Sequence, residues 1–198
     1  MLSDVFGYGA PTKPSTLQFY NATNGPNWDT DCNKNHKTPC ACKDGDDNYV
    51  TCKNGHITKI HLSGNDNMKG KVPLSFWNFT KLTLMDLGHN GLTGTIPSAV
   101  GNLKEVTGLY IGGNPFEGTI PSEIGNLDKL TGLHLFGCKL TGKIPALPYD
   151  QYTTDCSLTR DDHGPHTNHF ACPLPPHAKD CQFYDDDGNQ KPGIECDK

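Results

Sequence analysis

Residues 82–103 read LTLMDLGHNGLTGTIPSAVGNL, and the pattern returns in residues 106–127 (VTGLYIGGNPFEGTIPSEIGNL) and in residues 130–148 (LTGLHLFGCKLTGKIPALP). Four units can be aligned, and they begin at Ile57, Leu82, Val106 and Leu130. Their spacings are 25, 24 and 24 residues. A repeat of this length indicates a solenoid, in which each unit buries its apolar side against the next one. The repeat therefore decides the fold and determines which side chains face outward.

The centre of each unit alternates apolar and outward positions, as in Leu133, His134 and Leu135. An alternation of period two predicts a strand, and the glycine and proline that follow exclude a helix. We therefore expect one strand, one turn and one irregular return per unit. Successive strands are expected to form a parallel sheet of four strands on one side of a right-handed superhelix.

A polar position recurs at the bend after each strand. It is occupied by Asn65, Asn90, Asn114 and, in the fourth unit, Cys138. An amide carries both donors and acceptors, so an inward asparagine can satisfy backbone groups that no strand pairing reaches. The weaker thiol of Cys138 is expected to be tolerated because it lies in the last coil.

The pattern LxxLxLxxNxLxGxIPxxxGNL resembles the plant-type leucine-rich repeat of receptor ectodomains, polygalacturonase inhibitors and protist surface proteins. The resemblance covers residues 57–146. Residues 19–28 (FYNATNGPNW) and 50–52 (VTC) look like the cysteine-bearing cap before such repeats, and residues 168–175 (NHFACPLP) are similar to the cap after them. The resemblance implies an α/β fold, a right-handed solenoid with a short parallel sheet and disulfide-bonded caps. Its three parts would be a first cap over residues 1–56, four repeats over 57–146 and a last cap over 147–198.

The composition agrees with one elongated domain. The 198 residues include 22 Gly and 15 Pro, which is too many for a helical bundle, and the net charge of −5 argues against nucleic acid or an anionic membrane as partner. No apolar run is long enough to span a membrane. The first residues do not form a secretion signal, so we expect that a leader was either removed or left out.

Eight of the nine cysteines lie outside the repeats. They are Cys32, Cys40, Cys42 and Cys52 in the first cap, and Cys156, Cys172, Cys181 and Cys196 in the last. An even number of cysteines in each loop-rich cap predicts disulfides and an extracellular location. Zinc is the competing interpretation, but paired C-x2-C spacing is missing. Each cap allows three pairings; the resemblance favours Cys32 with Cys40 and Cys42 with Cys52, and the last cap stays open. Cys138 is the odd cysteine, expected to be buried and inert.

The first cap also predicts a short helix and a modification site. Residues 15–18 (STLQ) form a capping box, and the helix should end near residues 24–26. Residues 21–23 (NAT) and 78–80 (NFT) are glycosylation sequons, so Asn21 and Asn78 are candidate acceptors in a secreted protein.

Outward positions of the strands should form the concave surface that solenoids use for binding. The candidate binding residues there are Lys59, His61, Asp86, Tyr110, His134 and Phe136. Aromatic anchors favour recognition of a ligand, whereas the alternative is that these residues merely cover the sheet. His61 beside Asp86 could pair, but two side chains fall short of a metal site. The same face is rich in glycine, at positions 88, 108, 112, 113, 132 and 137. These glycines either let a backbone or a sugar ring approach closely or simply suit tight corners.

Other clusters offer weaker alternatives. Residues 44–48 (DGDDN) and 185–189 (DDDGN) could hold calcium but lack the pattern of a calcium-binding loop, so solvated turns are expected. The last cap carries histidines that we expect to lie at the surface, at His163, His166, His169 and His177. No catalytic motif occurs, so we expect neither an enzyme nor a cofactor.

The sequence therefore predicts a non-enzymatic extracellular or cell-surface protein that recognises a protein or glycan, or mediates adhesion. The alternative is a structural subunit of a coat or fibre that binds copies of itself. Hydrolase inhibition and ice binding occur in related plant proteins. A threonine row suited to ice (Thr93, Thr95, Thr119, Thr141) is interrupted by Glu117 and Lys143.

Overall fold

The computed structural model describes residues 16–27, 50–54, 56–152, 156–158, 167–176, 178, 181 and 196–197. Within them the chain winds in coils with a sheet on either side. The strands are β1 Val50–Lys53, β2 His56–His61, β3 Lys69–Lys71, β4 Leu84–Asp86, β5 Gly91–Thr95, β6 Gly108–Tyr110, β7 Phe116–Gly118, β8 Gly132–His134, β9 Lys139–Lys143, β10 Cys156–Ser157, β11 His169–Ala171 and β12 Cys196–Asp197.

The main sheet has the order β1-β2-β4-β6-β8-β10. Its pairs are parallel except for β1, which runs antiparallel to β2. The expectation of four strands is wrong, because β1 and β10 come from the two predicted caps and extend the sheet at both ends. Equivalent positions are in register from coil to coil, so their side chains form columns perpendicular to the strands.

A second sheet, in the order β12-β11-β9-β7-β5-β3, replaces the predicted irregular return. It was missed because the strands β3, β5, β7 and β9, which belong to the repeats, each contain a glycine. Gly118 and Gly142 adopt positive φ, at 82° and 78°. A Cβ on Gly142 would lie 3.0 Å from the Thr119 methyl group of the preceding coil. The glycine is therefore required both by its conformation and by the close approach of the neighbouring coil.

Short 3₁₀ helices connect the second sheet back to the main sheet. They span Leu74–Asn78, Ser98–Asn102, Ser122–Asn126 and Tyr149–Tyr152. Each of the first three follows a proline of the I-P or V-P dipeptide that is held in an extended conformation. Proline fixes φ and thereby ends the second-sheet segment before the turn begins.

The apolar positions of the repeat fill the space between the sheets. In the second and third units each of them is no more than 4% exposed: Leu82, Met85, Leu87, Leu92, Ile96, Val106, Leu109, Ile111, Phe116 and Ile120. Helix α1, Thr16–Ala22, covers the first coil, and the ring of Phe19 stacks on Phe76 with centroids 4.2 Å apart. The amide of Asn24 donates to the carbonyl of Asn67 at 2.9 Å. The cap therefore closes the apolar end of the solenoid.

Disulfides occur in both caps. Cys156 is bonded to Cys181, and Cys52 and Cys172 are also disulfide-bonded. Cys32, Cys40 and Cys42 lie outside the described residues, as does the side chain of Cys196. The pairings favoured for the first cap therefore stay a prediction.

A threonine ladder runs along one edge of the main sheet. The hydroxyl of Thr83 donates to the carbonyl of Thr58, Thr107 to Thr83, and Thr131 to Thr107, at 2.8, 3.0 and 3.2 Å. These residues occupy one position of the repeat; Thr58 lies within β2, and the other three immediately precede β4, β6 and β8. Their bonds tie each coil to the previous one beside the outward-facing columns.

Candidate functional site

The inward asparagines hold the bends that present the outward columns. The Asn114 amide donates to the carbonyls of Leu87 at 2.8 Å and Ile111 at 3.0 Å, and its oxygen accepts the amide of Leu92 at 3.0 Å. Asn90 repeats this arrangement one coil earlier, with donation to Leu62 and Leu87. Each side chain therefore joins two successive coils at a place where strand pairing has ended.

Cys138 does not lie in the last coil, and that interpretation is corrected. Asn168 of the predicted last cap occupies the next step of the ladder, donating to Leu135 at 2.7 Å and accepting the amide of Leu140 at 3.0 Å. The Cys138 thiol lies 3.8 Å from the carbonyl of Ile111 and is fully buried. Burial raises its pKa to about 12, so the nucleophilic thiolate is strongly disfavoured.

The central outward column contains four of the six predicted binding residues. His61, Asp86, Tyr110 and His134 are aligned in register across β2, β4, β6 and β8. Nδ1 of His61 lies 2.9 Å from a carboxylate oxygen of Asp86, and the other oxygen accepts the Gly88 amide at 3.3 Å. Lys59, also predicted, is exposed one column away. We call these outward positions of the main sheet the concave face.

Aromatic rings are gathered on the half of the concave face nearer to β8. The rings of Tyr110 and His134 lie 4.6 Å apart, and those of His134 and Phe136 lie 5.9 Å apart. Phe136 is only 7% exposed, so little of its ring is open to a ligand, and its role in binding stays a prediction.

The glycines of this face are partly covered by these rings. A Cβ on Gly108 would lie 3.0 Å from the Tyr110 ring, and one on Gly112 would lie 2.8 Å from the Phe136 ring. The predicted flat surface for a sugar ring or a backbone is thus occupied at these two positions by the protein's own side chains. Glycine is needed here so that the rings can lie against the sheet.

Sequence reasoning missed His89, which joins the aromatic half. Its ring lies 5.4 Å from that of Phe136, and it is exposed. It has φ of 51°, whereas the equivalent positions of the other units are glycines with φ of 55° to 69°: Gly64, Gly113 and Gly137. A left-handed conformation costs a side chain on the order of 1 kcal/mol. The signal was present in the sequence as the one non-glycine residue in a glycine column.

Ser157 extends the central column by one strand. It pairs in register with His134, and it was missed because the repeat pattern stops before β10. The residue is 2% exposed, and among the described residues its hydroxyl has no hydrogen-bond partner. A buried hydroxyl without a partner is uncommon in a folded protein.

A row of charged residues, Lys81, Glu105 and Lys129, lies beside the concave face, one in each successive coil. Lys129 bonds to Glu105 of the preceding coil at 2.6 Å. The hydrogen bond and charge of Lys129, with a smaller contribution from Lys81, lower the pKa of the Glu105 carboxyl. The row therefore alternates in sign and does not form a basic patch.

The remaining candidates are placed as follows. Asn21 and Asn78 are exposed, and their glycosylation stays a prediction. His169 lies on β11 and is exposed, whereas the other cap histidines and both aspartate clusters fall outside the described residues. No group of three or more metal-binding side chains is found among the residues described. The described helices are all too short or too polar to cross a bilayer.

Coils with an asparagine ladder and a parallel sheet define the class of fold. It is an α/β leucine-rich repeat solenoid, which confirms the predicted fold class, and a disulfide is present in the last cap. The Leucine Rich Repeat family model matches residues 81–103 and 105–127.

Solved plant structures share this architecture. The chain is similar to one in the BIR3–SERK2 complex from Arabidopsis thaliana (24% identity, 87% of this chain and 89% of that one, TM-score 0.59). It is also similar to the ectodomain of GASSHO1/SCHENGEN3 from Arabidopsis thaliana in complex with CASPARIAN STRIP INTEGRITY FACTOR 2 (26%, 86% and 23%, TM-score 0.55). A plant ice-binding protein has the same fold (22%, 85% and 52%, TM-score 0.63).

This chain spans less than a quarter of the length of the GASSHO1/SCHENGEN3 ectodomain chain. A search of curated protein sequences found no match.

Proposed function

We propose that the protein is a non-enzymatic extracellular recognition module that binds a protein or peptide on its concave face. The observation that carries this proposal is the central column. Histidine, aspartate and tyrosine side chains occupy it on four successive strands, although the coil architecture imposes only the inward positions. A face that varies while the interior repeats is free to match one ligand.

The rings also favour a protein ligand over a glycan. Tyrosine is enriched among residues that dominate protein interfaces, because one ring combines apolar area with a polar group. The Tyr110 and His134 rings are half-buried and lie against each other, and the His134 ring also lies 5.9 Å from that of Phe136. Since Gly108 and Gly112 are covered, the open flat surface that favoured a sugar is reduced. Glycan binding stays an alternative outcome of the test.

Other observations support the location and the kind of partner. A disulfide between Cys156 and Cys181 suits an oxidising compartment. The GASSHO1/SCHENGEN3 ectodomain, 26% identical to this chain, was solved in complex with CASPARIAN STRIP INTEGRITY FACTOR 2. The central column spans three strand spacings, about 14 Å, which is the length of roughly four residues of extended peptide.

A selection experiment tests the proposal. The oxidised protein is immobilised and panned against displayed random linear peptides, and in parallel it is applied to an array of oligosaccharides. We expect peptides to be enriched and to lose about tenfold or more in affinity for Tyr110→Ala and for Asp86→Asn. Glu117→Ala, on the exposed part of β7, is the matched control and should bind normally. Binding of oligosaccharides alone, or equal loss in the control, would contradict the proposal.

The second prediction from the sequence is a structural subunit of a coat or fibre. The molar mass of the protein in solution distinguishes this function from recognition of a different molecule. Light scattering of the glycosylated, oxidised protein should give a monomer if the concave face serves a different molecule. A concentration-dependent polymer would favour self-association. The ice-binding row is also open to direct test, but charged Glu117 and Lys143 are exposed on the same sheet as its threonines.

A further inference from the structure

The second sheet presents a polar row that the peptide-binding proposal does not use. In each coil one exposed residue directly follows the glycine of the second-sheet strand. These residues, which we call the lysine–threonine row, are Lys71, Thr95, Thr119 and Lys143. Among the described residues, neither the two hydroxyls nor the two ammonium groups have a hydrogen-bond or ion-pair partner. The row therefore offers its polar groups to solvent or to a ligand.

Three of these side chains pack against the glycine of the next coil. A Cβ on Gly94 would lie 3.3 Å from Cγ of Lys71, and one on Gly118 would lie 3.2 Å from the methyl group of Thr95. Thr119 repeats this contact with the following glycine at 3.0 Å. Because threonine is stiff at χ1, a methyl group held in this way also fixes the direction of the hydroxyl. Two hydroxyls thus lie in set positions between two lysines.

The face around the row carries an excess of positive charge. On β3, β5, β7 and β9, four lysines face a single described carboxylate, that of Glu117. Besides Lys71 and Lys143 these lysines are Lys69 and Lys139, and both are exposed. The whole chain has a formal charge of −5, so the positive charge is local to this face. Such a local field favours an anionic partner.

The row crosses the strands obliquely. Thr95 is in register with Glu117, so Thr119 lies one strand across and two residues further along. The other two steps of the row have the same offset. One step is about 8 Å, and three steps span about 25 Å. This length suits an extended polymer better than a single small ion.

We propose that the lysine–threonine row binds an anionic polysaccharide. Carboxylate or sulfate groups of the polymer bind the lysines at the two ends, and its sugar hydroxyls exchange hydrogen bonds with the two threonines between them. The row has none of the aromatic side chains that dominate protein interfaces, which favours a polysaccharide over an acidic peptide. Because this site lies on the second sheet, the protein can bind a peptide on the concave face at the same time.

Binding is measured with immobilised alginate, which carries carboxylates, dextran sulfate, which carries sulfates, and neutral dextran. We expect the wild-type protein to bind one or both anionic polymers, more weakly as salt is added, and not to bind dextran. Lys71→Gln and Lys143→Gln should each lower the affinity about threefold, and the double variant about tenfold. Lys81→Gln is the matched control, since it removes the same charge from an exposed position outside the second sheet. Its affinity should be unchanged.

Substitutions between the lysines test the contacts with the sugar. Thr95→Val keeps the methyl group against Gly118 and removes the hydroxyl, so the unfolding midpoint should stay the same while the affinity falls about threefold. Thr93→Val makes the same change at an exposed position of the same strand outside the row, and it should bind normally. Glu117→Gln removes the carboxylate beside the row and should raise the affinity about twofold.

The inference would be overturned by equal binding to neutral dextran, by binding to neither anionic polymer, or by an unchanged affinity in the double lysine variant. Poly-glutamate that binds as tightly as the better anionic polymer would assign the row to acidic peptides instead. A loss in Thr93→Val as large as that in Thr95→Val would contradict the role of the row. Failure of the peptide-binding proposal is seen separately, because Tyr110→Ala should bind the anionic polymers as the wild type does.

Discussion

The interior bend and the concave face follow opposite rules, although they are only a few residues apart in each coil. At the bend, Asn90 and Asn114 make equivalent bonds one coil apart. On the concave face, His61, Asp86 and Tyr110 occupy one column with different chemistry on each strand. The difference shows that the repeat fixes what the fold needs and leaves the outward positions free to vary. Substitutions at the bend should therefore change stability, and those on the face should change affinity.

The largest effect is expected at Asn114, which is fully buried. Asn114→Leu leaves the carbonyls of Leu87 and Ile111 and the amide of Leu92 without their partner. Leaving buried backbone groups unpaired should lower the free energy of unfolding by about 3 kcal/mol. Urea unfolding followed by circular dichroism measures it.

Asn102→Leu provides the control, because Asn102 is exposed and its contact with Asn78 is long, at 3.4 Å. Its effect should be within about 0.5 kcal/mol. Equal losses in the two variants would break the comparison between the bend and the surface.

The second effect is a loss of stability in alkaline solution that originates at the bend. The Cys138 thiol has its pKa raised by burial from the usual 9.0 to about 12. Between these values the folded protein holds a proton that the unfolded chain has lost, so the free energy of unfolding falls as the pH rises above 9. One group contributes about 1.4 kcal/mol per pH unit.

Cys138→Ala should flatten the profile between pH 9 and pH 10, by comparison with the wild type. Burial also raises the pKa of Tyr149, so part of the decline should persist at higher pH in both proteins. Identical profiles from pH 9 upward would show that Cys138 does not titrate as its burial requires.

At His89 the requirement of the fold and the proposed role in binding favour different residues. His89→Gly removes a side chain from a left-handed conformation and restores the residue of the other units. The free energy of unfolding should rise by about 0.5–1 kcal/mol, while peptide affinity falls because the ring against Phe136 is gone. His89→Ala keeps the strained conformation and loses the ring, so it should weaken binding without the gain in stability. A glycine variant that binds normally would make His89 a tolerated exception rather than part of the site.

The smallest change in stability is expected at the contact between His61 and Asp86. Asp86→Asn changes a contact in which the His61 side chain is 59% exposed and the Asp86 side chain is 14% exposed. A contact with one solvent-exposed partner contributes little, so the free energy of unfolding should change by less than about 1 kcal/mol. A larger loss in thermal or urea unfolding would assign Asp86 to the fold instead of the ligand.

The sequence predicted what repeats with a regular period and missed what interrupts it. Leu92 and Asn114 were placed because each has equivalents 24 residues away. Leu135 and Leu158 each come directly after a strand of the main sheet. Two residues separate Leu135 from Cys138, but nine separate Leu158 from Asn168, and Asn168 was missed for this reason. The ladder continues through space although the count along the chain is broken.

Other omissions have different physical causes. The second sheet escaped prediction because glycines such as Gly118 weaken any local strand signal, and only contact between coils creates the pairing. The low exposure of Phe136 was not predicted, because a period of two indicates the side of the sheet on which a side chain lies and not how much of it is covered. His89, in contrast, could have been found by asking which unit lacks the glycine before its asparagine.

Hydrogen–deuterium exchange with a selected peptide tests the central claim most directly. Exchange should slow in segments containing β4, β6, β8 and β10 when the peptide binds, and it should stay the same in β5, β7 and β9 of the second sheet. Protection of the second sheet with an unchanged main sheet would contradict the account.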